Sequence, residues 1–237
     1  MKSEFMKKVF IITGTSRGIG KQLAEFYLSK GHQVSGCSRG KSKIKNINYD
    51  HYELGVSEET QVISMIKMVI KKHGRIDVLL NNAGIANMNH ILTTPYKSAK
   101  NIFSTNFFGT FLFSREVAKI MIKHKAGNIV NFTTIAVPTK LEGEAIYAAS
   151  KAAIENFTQI SAKELSKFGI RVNAIGPTPI PTDLIRNIKK EKINVLLKSQ
   201  AISRLGKFDD ILNVVNFFID KKSEFITGQV IYLGGIS

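Results

Sequence analysis

The sequence predicts an α/β fold: one domain built on a doubly wound parallel sheet with helices on both faces. Three observations predict it. Short apolar runs alternate with stretches of helical periodicity along nearly the whole chain. A glycine-rich turn joins the first such run to the first helix. No repeat, low-complexity tract or linker breaks the alternation, so residues 1–237 read as a single domain. Alternating strands and helices need crossover connections, and crossovers produce a parallel sheet covered on both sides.

The elements follow in order. Val9, Phe10, Ile11 and Ile12 form the first strand, and residues 19–28 repeat apolar side chains at helical spacing. A second strand is expected over 33–37 and a weaker third over 47–52. Residues 58–72 make an amphipathic helix, and 77–81 a buried strand. A long helical stretch covers 96–124, a strand 128–132, a helix 144–168 and another strand 170–174. A helix over 209–220 leads to a last strand over 229–233. Between these last units, 183–205 sets Ile185, Ile188, Leu196 and Leu197 among lysines, the pattern of an amphipathic lid.

Composition narrows the class. With 43% hydrophobic and 22% charged residues, the chain can bury a substantial core. It has no apolar run of about 18 residues, so no membrane span is expected. The opening MKSEFMKKVFIITG passes from charge straight into a strand and lacks the pattern of a secretory leader. One cysteine, Cys37, precludes an intrachain disulfide framework and reads as a buried strand residue. His90 and His124 have no metal-ligating companions, so no metal is expected. These features point to the cytoplasm. The net charge of +16 raises the question of nucleic acid, but the basic residues are mostly lysine and spread along the chain. A charged surface, or an anionic substrate or carrier, suits that distribution better.

The turn Thr13-Gly14-Thr15-Ser16-Arg17-Gly18-Ile19-Gly20 has the context that a phosphate site requires, strand before and helix after. Gly14 permits the tight turn, Gly18 brings backbone up to a pyrophosphate, and Gly20 lets helix pack on strand. The helix N-terminus then offers N–H groups and the positive dipole end. This makes the sheet a Rossmann-type dinucleotide fold.

The spacing Gly-x-x-x-Gly-x-Gly resembles that of short-chain dehydrogenases/reductases, and the resemblance extends over essentially the whole chain. Asn81-Asn82-Ala83-Gly84 resembles the family's stretch after the fourth strand. Asn106 opens an Asn-Phe-Phe-Gly segment, and Asn131-Phe-Thr-Thr134 stands where the family shows Asn-Ile-Ser-Ser. Tyr147-Ala-Ala-Ser-Lys151 matches Tyr-x-x-x-Lys, and Val172-Asn173-Ala174 leads to Pro177. The chain is most similar to the shorter single-domain branch, including 3-oxoacyl-carrier-protein reductase-like members.

That resemblance implies reversible carbonyl–alcohol interconversion by hydride transfer to or from a nicotinamide cofactor. It implies a catalytic set of Asn106, Thr134, Tyr147 and Lys151. It also implies cofactor contacts from Gly14, Ser16, Arg17, Gly18, Ile19 and Gly20, then Ser38 and Arg39, and then Asn82, Ala83 and Gly84. Tyr147, Lys151, Pro177, Ile180 and Thr182 complete that set. NADP(H) is favoured over NAD(H), because Gln33 to Arg39 contains no acid for a ribose 2′-hydroxyl. Arg17 and Arg39 can instead grip a 2′-phosphate. Tyr147 and Lys151, four apart on a helix, share a face, and the ammonium is expected to lower the phenol's pKa.

The sequence departs from the family it resembles at chemical positions. Thr134 replaces a serine and adds a χ1-restricting methyl; Thr178 replaces a glycine after Pro177. Phe107, Phe111 and Phe157 exceed what one sheet face can cover, and the family implies a homo-oligomer, tetramer or dimer. The expected partner is a small carbonyl or alcohol, with neither nucleic acid nor membrane. Two alternatives stand beside this reading. One is a 3-oxoacyl-carrier-protein reductase, with Lys125 near a carrier-gripping position but Phe168 replacing another basic one. The other is a non-catalytic dinucleotide-binding regulatory protein on the same fold.

Overall fold

The computed structural model describes residues 7–181 and 190–236. Among the described residues seven strands lie in one sheet: β1 (Val9–Thr13), β2 (Gln33–Ser38), β3 (Tyr49–Glu53), β4 (Val78–Asn81), β5 (Gly127–Phe132), β6 (Ile170–Gly176) and β7 (Val230–Tyr232). Their order is β3-β2-β1-β4-β5-β6-β7, and every pairing is parallel. The order reverses between β1 and β4. In such sheets a crevice opens there, beyond the carboxyl ends of the strands.

The eight α-helices of the described residues are α1 (Gly18–Ser29), α2 (Glu59–His73), α3 (Tyr96–Phe103), α4 (Gly109–His124), α5 (Ala136–Thr139), α6 (Ala145–Ser166), α7 (Lys190–Ser199) and α8 (Phe208–Ile219). Period-2 alternation in β1 explains why both sheet faces need cover. Val9 and Ile11 join one core with Met65, Val69, Phe113 and Met121 of α2 and α4. Phe10 and Ile12 join the other with Leu23, Tyr27, Val215 and Phe218 of α1 and α8. All five β1 residues are buried, as expected of a central parallel strand.

Three elements differ from the sequence expectation. The long helical stretch over 96–124 is divided: a π-helical turn, Ser104–Phe108, separates α3 from α4. The third strand is shifted, to Tyr49–Glu53. The region read as a lid contains α7, whose Val195 and Leu196 line a cleft. Thr182, Ile185 and Ile188 lie outside the described residues. Cys37 is fully buried in β2, and burial pushes its thiol up to about 12.

Candidate active site

A cleft of about 1210 Å³ runs along the carboxyl ends of the strands at the order reversal. One end is the glycine turn. The N-cap residue of α1 makes no side-chain capping bond and the first turn holds no acid, which leaves N–H groups for an anion. Gly18 has φ +59, open to glycine without strain. A Cβ on Gly20 would run into the Gly14 carbonyl, so helix and turn could not close with any other residue there. Asn82 braces the turn from β4: its Nδ2 donates to the Thr13 carbonyl at 2.9 Å, while Ala83 N–H donates to Thr13 Oγ1 at 2.9 Å. The Asn82 amide donor is thus committed to shaping the turn.

At the end of β2, Ser38 and Arg39 line the same cleft as Ser16, Arg17, Gly18 and Ile19. Arg39 is exposed, whereas Ser38 is buried and donates from Oγ to the Gly40 carbonyl at 2.7 Å. No acidic side chain stands within β2, so nothing on that strand repels a ribose 2′-phosphate. The uncapped helix end, the glycine backbone and the two arginines fit a phosphorylated dinucleotide.

The middle of the cleft brings together β5, the π-helical turn and the start of α6. Tyr147 lies in the first turn of α6 and Lys151 one turn later; they are 8% and 4% exposed. Lys151 Nζ donates to the Phe132 carbonyl at 2.6 Å. Asn106, 0% exposed, is turned inward by the π-helical turn, a device that re-aims a side chain within a helix. Its Nδ2 donates to the Ile85 carbonyl and to Ser150 Oγ, each at 3.0 Å, and its Oδ1 accepts from Ile85 N–H at 2.8 Å. A Cβ on Gly84 would lie 3.4 Å from both Asn106 Oδ1 and Lys151 Nζ. The amide oxygen and the ammonium thus stand together beside Gly84.

The electrostatics differ from expectation in one respect. Burial dominates Tyr147 and pushes its phenol up to about 12. A hydrogen bond from Thr134 pulls it down, and the Glu144 carboxylate adds to the rise. The counterweight in this structure is Thr134 rather than the Lys151 ammonium. Burial also lowers Lys151, to about 8. Between there and its ordinary 10.5 the folded chain binds fewer protons than the unfolded one, so stability rises with pH across that window. Relative to Lys151→Met, the protein should gain about 3 kcal/mol from pH 8 to pH 10.5, measured by urea unfolding at both pH values. A difference that stays flat would mean the ammonium is solvated.

The other end of the cleft is walled by Ile85, Met88, Leu141, Val195 and Leu196, with Glu142 and Glu144 among them. Pro177 and Ile180 also line it. The departure at Thr178 has a use: its Oγ1 donates to Gln200 Oε1 at 2.5 Å, just beyond α7. Its methyl also packs where a Cβ on Gly206 would come within 2.7 Å. Thr178 fastens the end of the α7 cover, a part no glycine could take. The sequence reading missed Glu144, whose place three residues before Tyr147 on a helical segment was the available signal. It also missed Gln200, for which no local pattern exists. Among the described residues no cluster of metal-ligating side chains occurs, and no helix is long and apolar enough to cross a membrane.

Comparison with known proteins agrees with this geometry. The family model described as Enoyl-(Acyl carrier protein) reductase matches residues 14–236. The chain is 32% identical over 240 residues to the 3-oxoacyl-[acyl-carrier-protein] reductase FabG of Staphylococcus epidermidis, covering 97% of this chain and 98% of that one. Among solved structures, ElxO with NADP bound superposes with a TM-score of 0.88 at 32% identity, covering 96% of this chain and 97% of that one. A 4-hydroxyisoleucine dehydrogenase complexed with NADH superposes with a TM-score of 0.87 at 27% identity, covering 97% and 98%.

Proposed function

This chain belongs to the short-chain dehydrogenase/reductase family and is an NAD(P)-dependent oxidoreductase; on that premise we propose that it reduces a carbonyl to a secondary alcohol with NADPH. The observation that carries the reading is the convergence of Tyr147, Thr134 and Lys151 in one cleft with the glycine turn. When bound, the nicotinamide supplies the hydride. Tyr147 holds its proton at neutral pH, because burial keeps the phenol near 12, and gives it to the substrate oxygen. Thr134 hydrogen-bonds the phenol and stabilises the charge left after that transfer. Lys151 and Asn106 both stand beside Gly84, Lys151 for the ribose and Asn106 to hold the Ile85 peptide. A panel of ketones, sugars and thioesters followed by NADPH absorbance tests the reading; tight NADPH binding without any turnover would favour the regulatory alternative.

The cofactor preference lies with Arg17 and Arg39. Arg39→Ala should weaken NADPH by about 10- to 100-fold and NADH little, the size of a lost charge-assisted hydrogen bond. Titration of the native protein showing tighter NADH would sink the preference. Thr182 belongs to the same proposed contact set as Ile180.

A second reading, an acyl-carrier-linked 3-oxoacyl substrate, is favoured by the similarity to the FabG reductase and by the +16 net charge, which suits an acidic carrier. Turnover of a carrier-bound thioester that falls steeply with salt would select it. The same family premise gives a cytoplasmic homo-oligomer. Phe107, Phe111 and Phe157 stack edge-on across α4, α6 and the π-helical turn, with Phe108 51% exposed beside them. Burying that face between copies predicts a tetramer or dimer by light scattering; a clean monomer mass at micromolar concentration would contradict it.

A further inference from the structure

We propose that His51 is a specificity-determining positioning residue: it holds the Gly40 carbonyl so that the Ser38 hydroxyl is released to a ribose 2′-phosphate. This rests on the NADPH reading above. The geometry is a chain of hydrogen bonds linking the glycine turn, β3 and the turn after β2. Thr15 Oγ1 meets Tyr49 Oη at 2.8 Å, and Tyr49 Oη meets His51 Nδ1 at 2.8 Å. His51 Nε2 lies 2.8 Å from the Gly40 carbonyl and 3.2 Å from Ser38 Oγ. Ser38 Oγ itself donates to the same carbonyl at 2.7 Å.

The chemistry of the end groups assigns the protons. A carbonyl oxygen only accepts, so His51 Nε2 carries hydrogen. In the neutral ring Nδ1 then accepts, so Tyr49 donates to it, and the Tyr49 oxygen is left to accept from Thr15. Every donor has a destination. The chain also requires Gly36 in the middle of β2: a Cβ there would lie 2.5 Å from Tyr49 Oη and run into Thr15 Oγ1. Glycine weakens a strand interior, so its presence here fits a site where two side chains must cross close to the backbone.

The functional consequence follows from the Gly40 carbonyl having two donors. Gly40 is exposed, and one side-chain donor is enough to keep its carbonyl held by the protein. With His51 in place, the Ser38 hydroxyl can turn toward an anion beside Arg39 while the Gly40 turn stays held. Without His51, turning Ser38 gives up the other side-chain bond to the Gly40 carbonyl, so the turn beside Arg39 passes to solvent and is no longer held in place. NADH, with no 2′-phosphate, never asks Ser38 to move. His51 therefore acts on the discrimination between the two cofactors through Ser38.

The test is a double-mutant cycle read by equilibrium titration of NADPH and NADH against the full chain, with thermal unfolding as the check on folding. Ser38→Ala and His51→Leu should each weaken NADPH about 10-fold and NADH less than 2-fold, the scale of one hydrogen bond to a charged group. The double variant should be no weaker than either single one, because both remove the same phosphate contact. His51→Gln, which keeps a donor for Gly40, should recover most of the NADPH affinity. Equal losses for NADPH and NADH in His51→Leu, independent losses that multiply to about 100-fold in the double variant, or no rescue by Gln would each overturn the proposal. If the native protein itself prefers NADH, the cofactor reading falls and this inference with it. If NADPH is preferred but His51→Leu leaves the preference intact, only this inference falls.

Discussion

Tyr147→Phe is expected to lower turnover by about 10²–10⁴-fold, the range for losing a general acid, while cofactor affinity stays within about 2-fold. The substitution removes one oxygen and keeps the ring, which is almost wholly buried at the start of α6. Packing around the ring therefore changes little. The proton is what disappears. With the phenol pushed up to about 12, Tyr147 holds its proton throughout the neutral range, the form that the proposed reduction needs. Oxidation of an alcohol would need the phenolate, so it should gain as pH rises toward that value. Lys151→Ala should behave differently, harming both affinity and turnover, because the ammonium bonds the Phe132 carbonyl and stands beside Gly84 in the same cleft as the glycine turn. Substantial turnover by the Phe variant, in either direction, would remove Tyr147 from the mechanism.

The parts of this architecture that were legible in the sequence are those with local causes. The first strand, the glycine turn and α1 follow from an apolar run, from glycines that no other residue can replace, and from helical periodicity. The Tyr147–Lys151 pair follows from four-residue spacing on one helix. The parts that were not legible depend on contacts distant in sequence. The π-helical turn at Asn106 interrupts a stretch whose apolar periodicity continues through it, because the interruption is set by the Ile85 peptide and Ser150. The purpose of Thr178 depends on Gln200, 22 residues away. The Tyr49–His51 chain depends on the parallel register that sets Gly36 against His51 and Ser38 against Glu53. The upward shift of Tyr147 is not legible in the sequence for a related reason: spacing shows that an ammonium is near, but only the fold shows how completely the phenol is desolvated.

Thr134→Ala should slow turnover by roughly 10²–10³-fold, the usual size for losing one donor at a developing oxyanion. The structure adds a second effect in the same direction on mechanism. The Thr134 hydrogen bond is what pulls the Tyr147 phenol down, so its loss should move the alkaline limb of the pH–rate profile upward. Thr134→Ser keeps the donor and removes the methyl, and should keep or raise activity. Thr133 is the control. It is the next residue along the same extended segment, and its hydroxyl points away, donating to Glu155 Oε1 at 2.5 Å. Its backbone N–H is spent on the Ile175 carbonyl at 2.8 Å. Thr133→Ala should therefore cost about 1 kcal/mol of stability and little activity, since the bond it loses faces α6 rather than the phenol. If the two alanine variants slow turnover equally and mildly, with no shift of the pH profile for Thr134→Ala, the hydroxyl has no part in the reaction. Tyr147 would then polarise the carbonyl alone.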